Sequence, residues 1–219
     1  LGAFYADSEI KGDATRSYGI VERTQYTIES KSIALFSSIG KNLSEKDYLS
    51  LGLRYDKFDK QMKRDKTNSM FGPSPQVNGS NNFSSFSPSI QWERSFSEDL
   101  TANARVTYAE KPGGFSAYAD NAADSTFVEE ETMAYEVSLL FSPSESWGVN
   151  LTAYLNDIEN YQFELPDPTR MSTDYYVDNA DEVTAKGIEI EGFVKPAESV
   201  TLSMTYGLCD SEYDKFIGS

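Results

Sequence analysis

Two carboxylates one residue apart, Glu189 and Glu191, are the first candidates for chemistry. On a strand they share a face about 7 Å apart, and general acid–base work would be the sharp reading of such a pair. Arg54 and Arg105 are the matching cations. They could line the route of an anionic ligand, or simply pair with the nearby carboxylates Asp56 and Glu136. Lys111-Pro112-Gly113-Gly114-Phe115 could be a specificity or hinge element. Its plainer reading is a turn, with φ fixed by proline and positive φ open to both glycines. The scattered acids Asp120, Asp124, Glu129, Glu130, Glu131, Asp167, Asp174, Asp178 and Asp181 lack the regular spacing of a calcium loop. Cys209 is the only cysteine and histidine is absent, so Ser-His-Asp and Cys-His catalysis and imidazole metal sites are excluded. No phosphate-binding glycine loop, nucleophile elbow or metal cluster accompanies them. The residues therefore suggest binding rather than catalysis, with no cofactor.

The elements that must hold these residues are strands. Tyr135, Val137, Leu139 and Phe141 alternate with Glu136 and Ser138. Val149, Leu151, Ala153 and Leu155 alternate with Asn150, Thr152, Tyr154 and Asn156. Ile188, Ile190 and Val194 alternate with Glu189 and Glu191, and Val200 to Leu208 repeats the pattern. Successive side chains on a strand point to opposite sides, so one face is apolar and the other polar, strand after strand. Similar segments cover 1–6, 30–39, 48–56, 83–96 and 100–108, with Pro88 marking a bulge or strand start. Short connections fall near Ser44, Ser97, Ser144 and Ala197, and long ones at 7–29, 57–82, 110–131 and 157–182. Strict alternation of short and long connections is the signature of an up-and-down transmembrane barrel, with tight turns on the periplasmic side. Trp92, Phe96, Phe141 and Trp147 flank the short turns, and Tyr55, Tyr108 and Tyr206 lie near the loop ends, as interfacial girdles would. Arg54, Arg105, Glu136, Asn150, Glu189 and Glu191 then face the lumen.

The net charge of −16 excludes nucleic acid as a partner, which requires stripes of Lys and Arg. No run approaches the roughly 18 apolar residues of a membrane helix, a test that a barrel escapes because only alternate residues meet lipid. The sequence starts and stops in what looks like mid-barrel, and the expectation is a fragment.

Five pieces, in order, resemble the barrel of a TonB-dependent outer-membrane receptor. They are KPGGF at Lys111–Phe115, EEETMAYEVSLL, VNLTAYLNDIENYQ, TAKGIEIEG and VTLSMTYGLCDSEYDKF. One departure is that KPGGF follows YAE directly, without the Gly-aromatic pair usual in the family. The resemblance implies an all-β, antiparallel up-and-down transmembrane barrel, of which residues 1–219 form about nine of 22 strands in a single barrel domain, with the plug domain absent. It implies energy-coupled uptake of a scarce ligand, with a ferric siderophore as the leading class. Vitamin B12, haem and oligosaccharides are further classes. The implied partners are the outer-membrane bilayer, the plug, against which Glu189 and Glu191 would pair with basic residues, and the inner-membrane TonB-type coupling complex reached through the N-terminus. Two alternatives stay open at this point: a passive outer-membrane channel or small barrel, and a soluble acidic β-sandwich that acts as a binding module.

Overall fold

A computed structural model describes residues 1–17, 19–70, 72–73, 76–119, 125–166 and 175–215. The strands are β1 (Gly2–Ser17), β2 (Val21–Asn42), β3 (Asp47–Asn68), β4 (Gly72–Pro73), β5 (Val77–Ser95) and β6 (Leu100–Lys111). They continue as β7 (Gly114–Phe115), β8 (Thr126–Phe127), β9 (Glu130–Ser144), β10 (Trp147–Pro166), β11 (Tyr175–Ala197) and β12 (Val200–Lys215). Nine long strands form one antiparallel meander in the order β1-β2-β3-β5-β6-β9-β10-β11-β12, each paired to its neighbour in sequence among the long strands. β4 adds to the end of β3, and β7 and β8 make a separate two-residue ladder. Among the described residues the only ladder outside the meander is β7–β8, two residues per strand, far too small to be the second layer a β-sandwich requires.

The register gives the tilt. A row of paired residues runs Gly52, Ser89, Thr107, Ala134, Asn156, Ala185, Ser211. Gly52 lies five positions from the strand start at Asp47, whereas Ser211 lies eleven from the strand start at Val200. The row thus climbs one residue per strand. With about 3.3 Å per residue and about 4.8 Å between strands, that slope is a tilt of roughly 35°, within the range of closed barrels.

Burial is inverted relative to a water-soluble sheet. Outward-facing Leu139 and Leu151 are each 43% exposed, Val137 55% and Leu202 58%. The apolar positions of β10 run from Trp147 to Leu155. Nine residues at this tilt span about 24 Å, close to the roughly 25 Å apolar band of outer-membrane barrels. Beyond the band the same face becomes charged: Lys57 and Asp59 on β3, Asp157 and Glu159 on β10, and Lys186 paired at 3.7 Å with Asp210 on β11 and β12. At the lower edge, Phe141 and Trp147 meet edge to face at 5.4 Å.

The long connections expected at 7–29, 57–82 and 157–182 are largely strand. β1 runs on to Ser17 and β2 begins at Val21, β3 continues to Asn68, and β10 and β11 remain paired up to Pro166 and Tyr175. Above the band the outer faces of these ladders meet water, and the inner faces are mostly polar, with one small apolar cluster at Met62 and Val77 under the loop that follows β6. No apolar alternation is needed there, so the sequence signal of a strand disappears while its hydrogen bonds continue. Among the described residues of 110–131, those from Pro112 to Ala119 and from Ser125 to Glu129 leave the meander. Pro88 does not interrupt β5, whose pairing with β3 runs through it without a shift. It instead marks the point where pairing between β5 and β6 ends, since Ser89–Thr107 is the last pair. A residue without an N–H suits a strand edge left open on that side.

Candidate functional site

The side of the wall opposite the apolar band is polar and carries the expected residues. Arg54 donates two hydrogen bonds of 2.7 Å to the carboxylate of Asp56, its neighbour on the same face. The guanidinium also lies over Phe36 and Phe4, at 5.7 and 6.0 Å. Asp56 is buried, so the fork supplies the partner its charge requires. Arg105 stands opposite Glu136 in the register but gives its guanidinium to the Oε1 of Gln91, at 2.8 and 3.2 Å. Gln91 in turn donates to Asn103. The expected Arg105–Glu136 pair is therefore replaced by a cross-strand amide bond to β5. Asn150, Glu189 and Glu191 line the same face on β10 and β11, with Asn150 directly opposite Glu191 and Thr152 opposite Glu189. Glu136, Glu189 and Glu191 make no ion pair with a described residue. Cys209 is exposed on the inner face of β12 and stands opposite Gly187, which on its other side stands opposite Tyr154.

The segment after β6 turns inward. Lys111 ends β6 with its ammonium 3.6 Å from Glu130. The carbonyl of Pro112 accepts a hydrogen bond from Gln162 at 3.2 Å, and that of Gly113 accepts one from Lys60 at 2.7 Å. Gly114 and Phe115 pair with Phe127 and Thr126. Phe115 is 8% exposed and packs with Met62, Val77 and Ala117, its ring lying across Gly79. Tyr118 meets Tyr26 edge to face at 5.7 Å, under the guanidinium of Arg16 at 4.6 Å. On the other flank the amide of Val177 donates to Ser116, and Asn179 both donates to and accepts from the backbone of Val128. The loop thus reaches β1, β2, β3 and β5 on one side and β10 and β11 on the other.

Neither Gly113 nor Gly114 has positive φ, so the glycines are not there for turn geometry. They are there for space. A Cβ on Gly113 would strike the carbonyl oxygen of Phe127 and the ring of Phe83, and one on Gly114 would sit 2.7 Å from the ring of Phe127. Close backbone approach is the second use of glycine.

Lys60, Gln162, Asn179, Ser116 and Tyr118 were not singled out in the sequence, because they fall where strands appeared to have ended. One signal existed: Asp56, Phe58, Lys60, Met62, Arg64 and Lys66 keep the inner parity of β3 without a break. Burial, then repulsion from Lys111, holds the Lys60 ammonium below the ordinary lysine range. Among the described residues no group of three or more Cys, Asp or Glu could hold a metal ion, and Asp120, Asp124, Asp167 and Asp174 lie outside them. No helix among the described residues is long and apolar enough to cross a membrane.

The family model "TonB dependent receptor-like, beta-barrel" matches residues 2–218. Among solved structures, the ferric yersiniabactin uptake receptor FyuA from Yersinia pestis superposes with a TM-score of 0.78 at 15% identity, covering 96% of this chain and 32% of that one. The copper transporter OprC gives 0.69 at 13% identity, covering 97% and 39%. The ferric citrate transporter FecA in its unliganded form gives 0.55 at 12%, covering 96% and 39%. The chain thus spans about a third to two fifths of the length of these structures. No curated protein matches the sequence. At such identities the superpositions establish the fold, whereas the family match extends over nearly the whole chain. TonB-dependent receptors are outer-membrane transporters, not enzymes. The chain belongs to the TonB-dependent receptor β-barrel family.

Proposed function

We propose that residues 1–219 are part of the barrel domain of an outer-membrane receptor that takes up a scarce ligand by energy coupling, with a ferric siderophore as the leading ligand class. The observation that carries the reading is the two-faced wall. A band of about 24 Å faces outward for lipid, and behind it a polar inner face is crossed by a packed loop where the strands leave the band. Closed by further strands, such a wall would line a passage with a narrowed mouth, which suits capture of a large solute better than free diffusion of small ones. The siderophore class rests on FyuA and FecA, whose names specify ferric complexes. The partners of this reading are the outer-membrane bilayer, a plug domain inside the barrel and the TonB-type complex of the inner membrane. Glu136, Glu189 and Glu191 offer the plug a set of carboxylates without cationic partners among the described residues. Charge reversal at Glu189 and Glu191 would loosen a basic plug; unchanged plug retention would remove that part of the reading.

The test uses the full-length gene in a deletion strain grown under iron limitation. Radioactive iron is supplied as ferric citrate and as representative catecholate, hydroxamate and phenolate siderophores. The reading expects at least one complex to accumulate only when the gene is present, and accumulation to stop when an uncoupler collapses the proton-motive force. Accumulation that persists with the uncoupler would favour the passive channel. No gene-dependent accumulation of any iron complex would remove the siderophore class.

A further inference from the structure

Residues 112–119 and 125–128 are bound to the inner wall on two opposite flanks at once. Gln162 of β10 holds both legs of the loop with one amide, donating to the carbonyl of Pro112 at 3.2 Å and to that of Val128 at 3.0 Å. Asn179 of β11 makes a two-way bond with Val128, at 2.9 and 3.2 Å, and donates to the carbonyl of Asn160 at 2.6 Å. From the opposite flank Lys60 of β3 donates to Gly113 at 2.7 Å. Phe115 fills the space over Gly79, where a side chain on the strand would exclude it. Asn160 has φ of 53°, so β10 is locally strained where Asn179 reaches its carbonyl. A loop meant to swing free would be tied on one side and would expose its apolar residues as it moved. This one is tied on both sides and buries Phe115, Ala117 and Ala119.

We propose that residues 112–119 and 125–128 form a fixed strut that sets the clearance at the mouth of the passage, with Gln162, Asn179 and Lys60 as its positioning residues. The strut acts as a size filter that stays in place while solutes pass beside it. The inference rests on the reading of the inner face as a passage, but not on energy coupling or on the ligand's identity. Its failure is therefore distinguishable from failure of the uptake reading.

Cys209 is a native reporter. It is the only thiol in this chain, it faces the passage, and its outward neighbour Leu208 ends the apolar band of β12. In full-length receptor in outer-membrane vesicles, labelling rates at this position are measured with a small methanethiosulfonate and with maleimides carrying polyethylene glycol of increasing mass. The same is done after Gln162→Ala and after Lys60→Ala with Gln162→Ala. The strut predicts that the large-reagent rate rises tenfold or more in the variants while the small-reagent rate is unchanged, which also reports a folded wall. An equal ratio of large to small rates in parent and variants would overturn the filter. Separately, in a Cys209→Ser background, Phe115→Cys should label at least tenfold more slowly than Val128→Cys, which starts 52% exposed. Equal rates would show that the segment swings out, and the strut would fall.

Discussion

Leu151 sits at the middle of the outward band of β10, between Leu139 of β9 and Ile190 of β11. Replacing it by Arg places a guanidinium near the bilayer midplane, about 12 Å from either edge of a band about 24 Å thick. An arginine side chain reaches roughly half that distance, so snorkelling cannot fully hydrate it. Charged substitutions at this depth cost about 2–4 kcal/mol. About 3 kcal/mol is roughly a 150-fold change in the ratio of folded to unfolded protein. Thr152 is the next residue and points to the inner face. Thr152→Arg keeps its charge among polar groups and should cost less than about 1 kcal/mol. The assay is equilibrium denaturant unfolding of full-length receptor in phospholipid bilayers, with both variants measured beside the parent. Equal costs for the two adjacent positions would refute the assignment of faces. A larger cost for Thr152→Arg would reverse it.

Three further outcomes follow from the inner wall. Arg54→Ala leaves the buried carboxylate of Asp56 without its fork and should cost about 1–2 kcal/mol, discounted for the half-exposed arginine, whereas Asp56→Asn should cost less; unfolding midpoints of the two variants check the order. A Cβ on Gly187 would meet the Leu208 carbonyl and lie 2.6 Å from the Tyr154 hydroxyl, so Gly187→Ala should destabilise by about 1–3 kcal/mol, with Tyr154→Ala recovering only part because the backbone clash remains. Lys60 lies above the band with a lowered pKa, so between its folded value and 10.5 the unfolded chain binds more protons; stability should therefore rise with pH across that window, and Lys60→Gln should lose the rise in a pH series of unfolding midpoints.

The sequence reveals the part of each strand that crosses lipid and little of what lies above it. Within the band, lipid on one side and polar contents on the other force a period of two, and Val149–Leu155 or Val200–Leu208 can be read by eye. Past Tyr55 or Leu155 the outer face turns charged and the inner face is mostly polar, so the contrast between the two faces is lost. Lys57–Asn68 then looks like a charged loop although it completes β3. Turn positions were legible because Ser, Asn, Asp and Pro cluster at the four short connections. The inner pairings were half legible. Arg54 and Asp56 are two apart on one strand, so parity alone brings them together. Arg105 had two polar neighbours in register, Gln91 and Glu136, and side-chain geometry rather than register chose Gln91. The inward fold of 112–119 and 125–128 was not legible. Its contacts join residues about 50 apart in sequence, such as Lys60 with Gly113 and Val128 with Asn179, and no local pattern encodes them.

The alternation on β10 tests the account most directly. In full-length receptor reconstituted into bilayers, with every native cysteine, Cys209 included, replaced by serine, single cysteines from Val149 to Asn156 carry a fluorophore. Each is quenched in turn by brominated lipid and by aqueous iodide. The account predicts lipid quenching at Val149, Leu151, Ala153 and Leu155, and iodide quenching at Asn150, Thr152, Tyr154 and Asn156. Uniform quenching by either agent, or a pattern without the period of two, would contradict a barrel wall.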